Sequence, residues 1–240
     1  MDQTPPAFPH GSLEEIFPDV FFITGTMKTV LMGAHWHFSR NMTVVRDGDA
    51  LTLINAVRLD ERGLAGLEAL GRIANVVRIG SLHGSDDAFY KARSGATLWA
   101  RPGMPHAQGL TPDKDLTPGG EVPFAGCSVF AFRTTKLPEC ILHVERAGGI
   151  LIACDALQNW VAPDEFFSDE SRKLMTEMGF FQPANLGPVW MQVSEPRKED
   201  FVRLLELEFR HVLCGHGAPL RDTAREAYAA SVERVFAARG

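Results

Sequence analysis

Apolar positions alternate along the first fifty residues. Val20-Phe21-Phe22-Ile23-Thr24, Thr29-Val30-Leu31-Met32, Met42-Thr43-Val44-Val45-Arg46 and Leu51-Thr52-Leu53-Ile54 read as four short strands, and Asp47-Gly48-Asp49 is a hairpin signal between the last two. The period then changes: Asp60 caps a helix whose Leu64, Leu67 and Leu70 share one face, and Gly71 ends it. A strand at 74–79, a short helix at 85–92 and a strand at 96–99 follow. Residues 101–126, rich in Pro, Gly, Asp and Lys, read as a long surface excursion of the kind that borders sites.

The second half repeats the logic. Strands are expected at 128–132, 140–144 and 149–154, then loop and helix over 160–180, a helix at 198–207, a strand at 211–214 and an amphipathic helix over 221–238. No residue-level repeat links the halves. Two facing sheets with helices outside satisfy this order, whereas a single doubly wound parallel sheet tolerates fewer hairpins.

Composition narrows the class. With 240 residues, 45% of them hydrophobic and 22% charged, the chain can bury one core, so a single domain over 1–240 is expected, with 1–18 as an N-terminal extension. A net charge of -6 and a pI near 5.8 disfavour nucleic acid and anionic membrane as partners. No run approaches the roughly 18 apolar residues of a membrane span, and residues 1–6 lack the order of a signal peptide, so a cytoplasmic protein is expected. Cys127, Cys140, Cys154 and Cys214 sit singly in apolar runs without CxxC spacing, the pattern of buried free thiols. Cys154 and Cys214 gain interest only from their neighbours Asp155 and His216.

Three strand ends carry candidate chemistry. The first is Arg78-Ile79-Gly80-Ser81-Leu82-His83-Gly84-Ser85-Asp86-Asp87, whose histidine and two carboxylates can ligate a metal or move protons. A helix cap and a turn histidine explain the same residues about as well. The second is Asp155, delivered by the apolar strand Ile150-Leu151-Ile152-Ala153-Cys154; a ligand, a base and a turn residue all fit it. The third is His216, between Gly215 and Gly217 just past a buried strand, where an open backbone favours a functional imidazole over a packing one. Strand ends on one edge of a sheet layer converge, so the three can meet.

In this order of elements and strand-end residues, over roughly residues 20–238, the chain resembles the metallo-β-lactamase superfamily. The resemblance implies an α/β fold, an αββα sandwich of two mixed β-sheets flanked by helices. It also implies a metal centre in which Asp155 and His216 match the bridging aspartate and the last histidine, and Leu53-Ile54-Asn55 matches an apolar run that ends there in Asp. The His-x-His-x-Asp-His motif is altered: Asp86 matches its Asp, Asp87 stands at its last His, Leu82 and Gly84 at its first two, and His83 in its spacer. Lys136 stands where the middle histidine is expected. The family's two-metal centre therefore cannot be assembled in full.

The resemblance implies, with these departures, a metal-dependent hydrolase of a small organic ester, lactone or amide. His83, Asp87, Asp155 and His216 would hold one divalent ion, zinc, iron or manganese; Asp155 would also take part in the chemistry, and Asp86 would orient a ligand or serve as base. The alternative is a non-catalytic binding or regulatory protein that keeps the fold. A small molecule is the expected partner, with a second copy of the chain as a further one. His35-Trp36-His37 fits a wet strand face better than extra ligands, and Arg40 suits either an anion or a structural acid. His143 reads as a sheet residue. The aromatic stretch from Trp160 to Trp190 serves equally as a pocket wall or as packing.

Overall fold

The structure, a computed structural model, describes residues 7–31, 33–107 and 109–237. The chain opens with β1 (Glu14–Phe17), β2 (Val20–Leu31), β3 (Ala34–Asp47) and β4 (Ala50–Ile54), then α1 (Glu61–Leu70), β5 (Arg72–Arg78), α2 (Asp87–Ser94), β6 (Thr97–Ala100) and β7 (Lys114–Asp115). These seven strands lie side by side in chain order, antiparallel as far as β4 and parallel from there to β7.

A second sheet follows, from β8 (Cys127–Ala131), β9 (Cys140–Val144), β10 (Ile150–Ala153) and β13 (His211–Cys214), in the order β13-β10-β9-β8 with β10 and β13 parallel. Between β10 and β13 come β11 (Leu157–Gln158), α3 (Asp169–Glu177), β12 (Asn185–Leu186), α4 (Pro188–Ser194) and α5 (Lys198–Leu205); α6 (Ala224–Ala237) closes the chain.

Alternation within the strands builds the layers. Val20, Phe22, Val45, Ile54 and Val77 of the larger sheet meet Val129, Leu142, Val144, Ile152 and Leu213 of the smaller one, while the intervening Phe21, Ile23, Val44 and Leu53 face Leu64 and Leu67 of α1 and Tyr90 of α2. On the other outer face Phe130, Ile141, Leu151 and Val212 pack against Trp190, Phe201, Leu204 and Tyr228. Each such fully buried side chain contributes about 1.5–3 kcal/mol relative to exposure. The architecture is the expected αββα sandwich.

Three differences from the sequence reading matter. The two strands expected at 20–24 and 29–32 are one, β2, paired with β3 from Val20↔Val45 to Leu31↔Ala34; Met32 lies outside the described residues, as do residues 1–6 and Ala238. Glu14–Phe17, expected in an extension, is a strand of the larger sheet. The third is α4, a seven-residue helix opened by Pro188 within a stretch read only as aromatic. Among the described residues, no helix is long and apolar enough to cross a membrane.

Candidate metal centre

The C-terminal ends of β4, β5, β10 and β13 gather on one edge of the sandwich. Beyond β10 comes Asp155, beyond β13 His216, and beyond β5 a turn that carries His83. Their polar atoms meet: His83 Nε2 is 3.0 Å from His216 Nε2 and 3.5 Å from Asp155 Oδ2, and His216 Nε2 is 3.2 Å from Asp155 Oδ1. All three side chains are less than a tenth exposed.

The His216 loop is fixed from several sides. Asn41 of β3 donates its side-chain amide to the carbonyls of Cys214 and Gly217, and its own N–H to Gly215. Gly217 has φ +88° and lies flat against the backbone of Asn159, so a Cβ there has no room. The imidazole of His216 packs beside Trp160, ring centroids 4.7 Å apart, and Phe38 at 5.7 Å. Its Nδ1 lies 3.2 Å from the carbonyl oxygen of Ser39, which can only accept, so Nδ1–H donates there and Nε2 is turned to the centre.

The His83 loop is wound around a guanidinium. Arg78, the last residue of β5 and buried, donates to the carbonyls of Gly80, Ser81 and Pro105. Gly84, at φ +98°, lies against both Arg78 and Asp87, and a side chain there would meet both. Ser81 Oγ donates to the Pro138 carbonyl across to the second sheet. The turn that results delivers His83 inward.

The two acids of the same turn go elsewhere. Asp86 accepts from the guanidinium of Arg40 and, at 2.8 Å, from the Arg58 N–H; Arg40 also donates to Ser85 Oγ. Asp87, expected as a ligand, is not among the donors that gather around Asp155. It is fully buried at the start of α2, and its oxygens have no hydrogen-bond partner among the described residues. Burial pushes its carboxyl up to about 6, with Arg78 opposing. Asp86 is thus engaged by the Arg40 guanidinium, and Asp87 is buried near Arg78 without a hydrogen-bond partner among the described residues.

Lys136 is exposed and paired with Glu195, away from the centre. The buried acid near Asp155 is instead Glu139, just before β9, whose Oε1 accepts the Ala156 N–H at 2.7 Å. Burial and the Asp155 charge push its carboxyl well up. Glu139 thus braces the turn that presents Asp155, a role the sequence reading missed. His35 and His37 sit on the hairpin, outside this group of donors, and His143 Nε2 bonds to the Glu208 carbonyl.

Electrostatically the centre is an ionised carboxylate between two imidazoles. Burial alone would raise Asp155, but His83 and His216 outweigh it and hold its carboxyl below the ordinary range. Burial lowers His83, opposed by Asp155. Burial and the neighbouring Asp155 also push the Cys154 thiol well up. All four cysteines are free.

The centre opens into a cleft of about 410 Å³. Its walls come from the outer end of the β2–β3 hairpin (Met27, Leu31, Trp36, Phe38) and from Trp160, Met175, Phe180 and Val189; Arg40, Arg78 and His106 supply polar edges. The aromatic stretch after Asp155 thus serves as wall and packing together, since Trp36, Trp160, Phe167, Met175 and Phe180 form one cluster.

The donor set suits a divalent ion. Donors bound tetrahedrally to one ion at about 2.0–2.2 Å stand roughly 3.3–3.6 Å apart; the His83–Asp155 Oδ2 contact at 3.5 Å falls in that range, and the contacts of His216 at 3.2 Å to Asp155 Oδ1 and 3.0 Å to His83 are slightly shorter. Two ring nitrogens and a carboxylate facing one another in this way are groups that a single cation can engage together.

No protein-family model matches the chain, and no curated protein matches it either. Solved structures do. A metallo-β-lactamase from Erythrobacter litoralis is similar at 14% identity over 95% of each chain (TM-score 0.56). One from Hirschia baltica is similar at 16% identity over 93% of this chain and 98% of that one (TM-score 0.57). The metallo-β-lactamase FIM-1 from Pseudomonas aeruginosa, in its mono-zinc form, is similar at 16% identity over 96% and 98% (TM-score 0.59). With the two facing sheets and their flanking helices, these likenesses establish that the chain has the metallo-β-lactamase fold.

Proposed function

We propose that the protein is a metal-dependent hydrolase of a small organic ester, lactone or amide, with one divalent ion held by His83, Asp155 and His216. The observation that carries the reading is the convergence of three buried donor groups: His216, its Nδ1 turned to the Ser39 carbonyl, brings Nε2 to 3.2 Å from Asp155 Oδ1 and 3.0 Å from His83 Nε2, an arrangement that suits a cation.

When bound, the ion would supply Lewis-acid activation of water and polarisation of a carbonyl. The protein's own groups do the rest. Asp155, kept ionised by its two imidazoles, would hold the ion and orient the attacking water through its carboxylate. Arg40, held by Asp86 and Ser85, sits at the cleft edge and stabilises negative charge developing on the substrate oxygen. Asp86 thereby positions Arg40 rather than acting as base. The aromatic walls exclude water and orient the apolar part of the substrate.

A second reading, a binding protein that retains the fold, is favoured by Lys136 and by the diversion of Asp86 and Asp87, which together leave fewer donors than a two-ion centre needs. Metal analysis of the purified chain after reconstitution with zinc, iron or manganese tests the first reading. About one ion per chain is expected; well under one for all three metals overturns it.

A further inference from the structure

We propose that Cys154 is a donor to the same centre, so that the ion shared by His83 and Asp155 is bound through sulfur as well as nitrogen and oxygen. This rests on the metal reading above, and concerns the side of the centre made by His83 and Asp155, since the group of mutually close donors that contains Cys154 does not include His216.

Asp155 divides its two oxygens. Oδ1 faces His216, whereas Oδ2 faces His83 and, at 3.5 Å, the sulfur of Cys154. That sulfur, a carboxylate oxygen of Asp155 and a ring nitrogen of His83 all lie within 4.8 Å of one another. A sulfur at about 2.3 Å and an oxygen at about 2.1 Å from one tetrahedral ion stand roughly 3.6 Å apart, which is the separation seen between Cys154 and Asp155.

Cys154 is fully buried, and Asp155 is its hydrogen-bond partner among the described residues. Cys214, by contrast, is occupied with the Tyr228 hydroxyl at 3.2 Å. Consecutive residues past the end of β10 therefore both reach the centre, one through a carboxylate and one through a thiol. Coordination replaces the S–H bond by an S–metal bond, the sulfur keeping the electron pair and the proton leaving to solvent. A sulfur donor also chooses among the three candidate ions: it favours zinc or iron over manganese, which prefers oxygen.

Cobalt(II) titration of the metal-free full chain, followed by absorption spectroscopy, tests this. An intense near-ultraviolet sulfur-to-cobalt band is expected to rise with the visible ligand-field bands and to saturate at about one ion per chain. In Cys154→Ser the near-ultraviolet band is lost while the visible bands persist, with affinity down roughly tenfold or more; Cys214→Ser keeps both. Visible bands without the near-ultraviolet band in the wild type, or an unchanged band in Cys154→Ser, overturn the proposal and leave the nitrogen and oxygen centre intact. No cobalt bands at all overturn the metal reading, and this inference with it.

Discussion

The turn after β5 and the two strand ends after β10 and β13 offer similar residues and use them differently. From the parallel pair β10 and β13, Asp155 and His216 both reach the centre, less than a tenth exposed. From the turn after β5, only His83 does, while Asp86 and Asp87 of the same turn face arginines. Buried parallel strands fix the course of the chain over the first two residues beyond them, because their register is set by core side chains on both faces. A longer turn takes its shape from whatever satisfies its backbone, here the guanidinium of Arg78. Sequence order alone does not separate the two cases; the nearby arginines do.

The comparison can be broken most forcefully at the strand ends. Asp155→Asn or His216→Ala is expected to weaken zinc retention by at least about a hundredfold in equilibrium dialysis, because either change leaves two donors of the triangle. The same loss from Asp86→Asn would place that acid in the centre after all.

The turn's own support is read in stability rather than in metal retention. Arg78→Met removes the donors to the carbonyls of Gly80, Ser81 and Pro105 and the charge facing Asp87, and is expected to cost about 3–5 kcal/mol of stability in urea unfolding. An effect below about 1 kcal/mol would show that the turn holds its shape without the guanidinium.

Asp87 sharpens the same contrast through pH. Its carboxyl is pushed up to about 6 from an ordinary 3.8, so between those values the folded chain binds the proton more tightly than the unfolded one. Its contribution is therefore most favourable below about pH 4, declines as pH rises to about 6 and stays lower above, a difference of about 3 kcal/mol. Asp87→Asn is expected to remove that decline from the stability profile measured between those pH values. An unchanged profile would mean that Asp87 is ionised in the fold at an ordinary pH.

The smallest effect belongs to Lys136, where the fold's middle histidine was expected. It is exposed and paired with Glu195, so Lys136→Ala should change stability by less than about 0.5 kcal/mol and leave metal content unaltered. A fall in metal content would bring that loop into the centre.

How far the sequence reveals these features depends on how local their cause is. The helix capped by Asp60 and the strand His211–Cys214 were legible because a cap bond to the Gly63 N–H and an unbroken apolar run act within a few residues. The continuity of β2 through Gly25-Thr26-Met27-Lys28 was not, since those residues are held extended by pairing with β3. The sites divide likewise. Asp155 and His216 stand at the ends of legible strands, whereas the role of Glu139 depends on Ala156 across the smaller sheet and the fate of Asp86 on Arg40 of another strand. Cys154 looked like one more core thiol because its neighbours His83 and Asp155 meet only in the folded chain.

The central claim is that His83, Asp155 and His216 hold one ion. Diffraction from metal-loaded crystals at the absorption edge of the bound metal tests it most directly. A single anomalous peak is expected about 2.0–2.2 Å from His83 Nε2, His216 Nε2 and a carboxylate oxygen of Asp155. No peak there in protein soaked with zinc, iron or manganese, or a peak centred instead on Asp86 and Asp87, would contradict the claim.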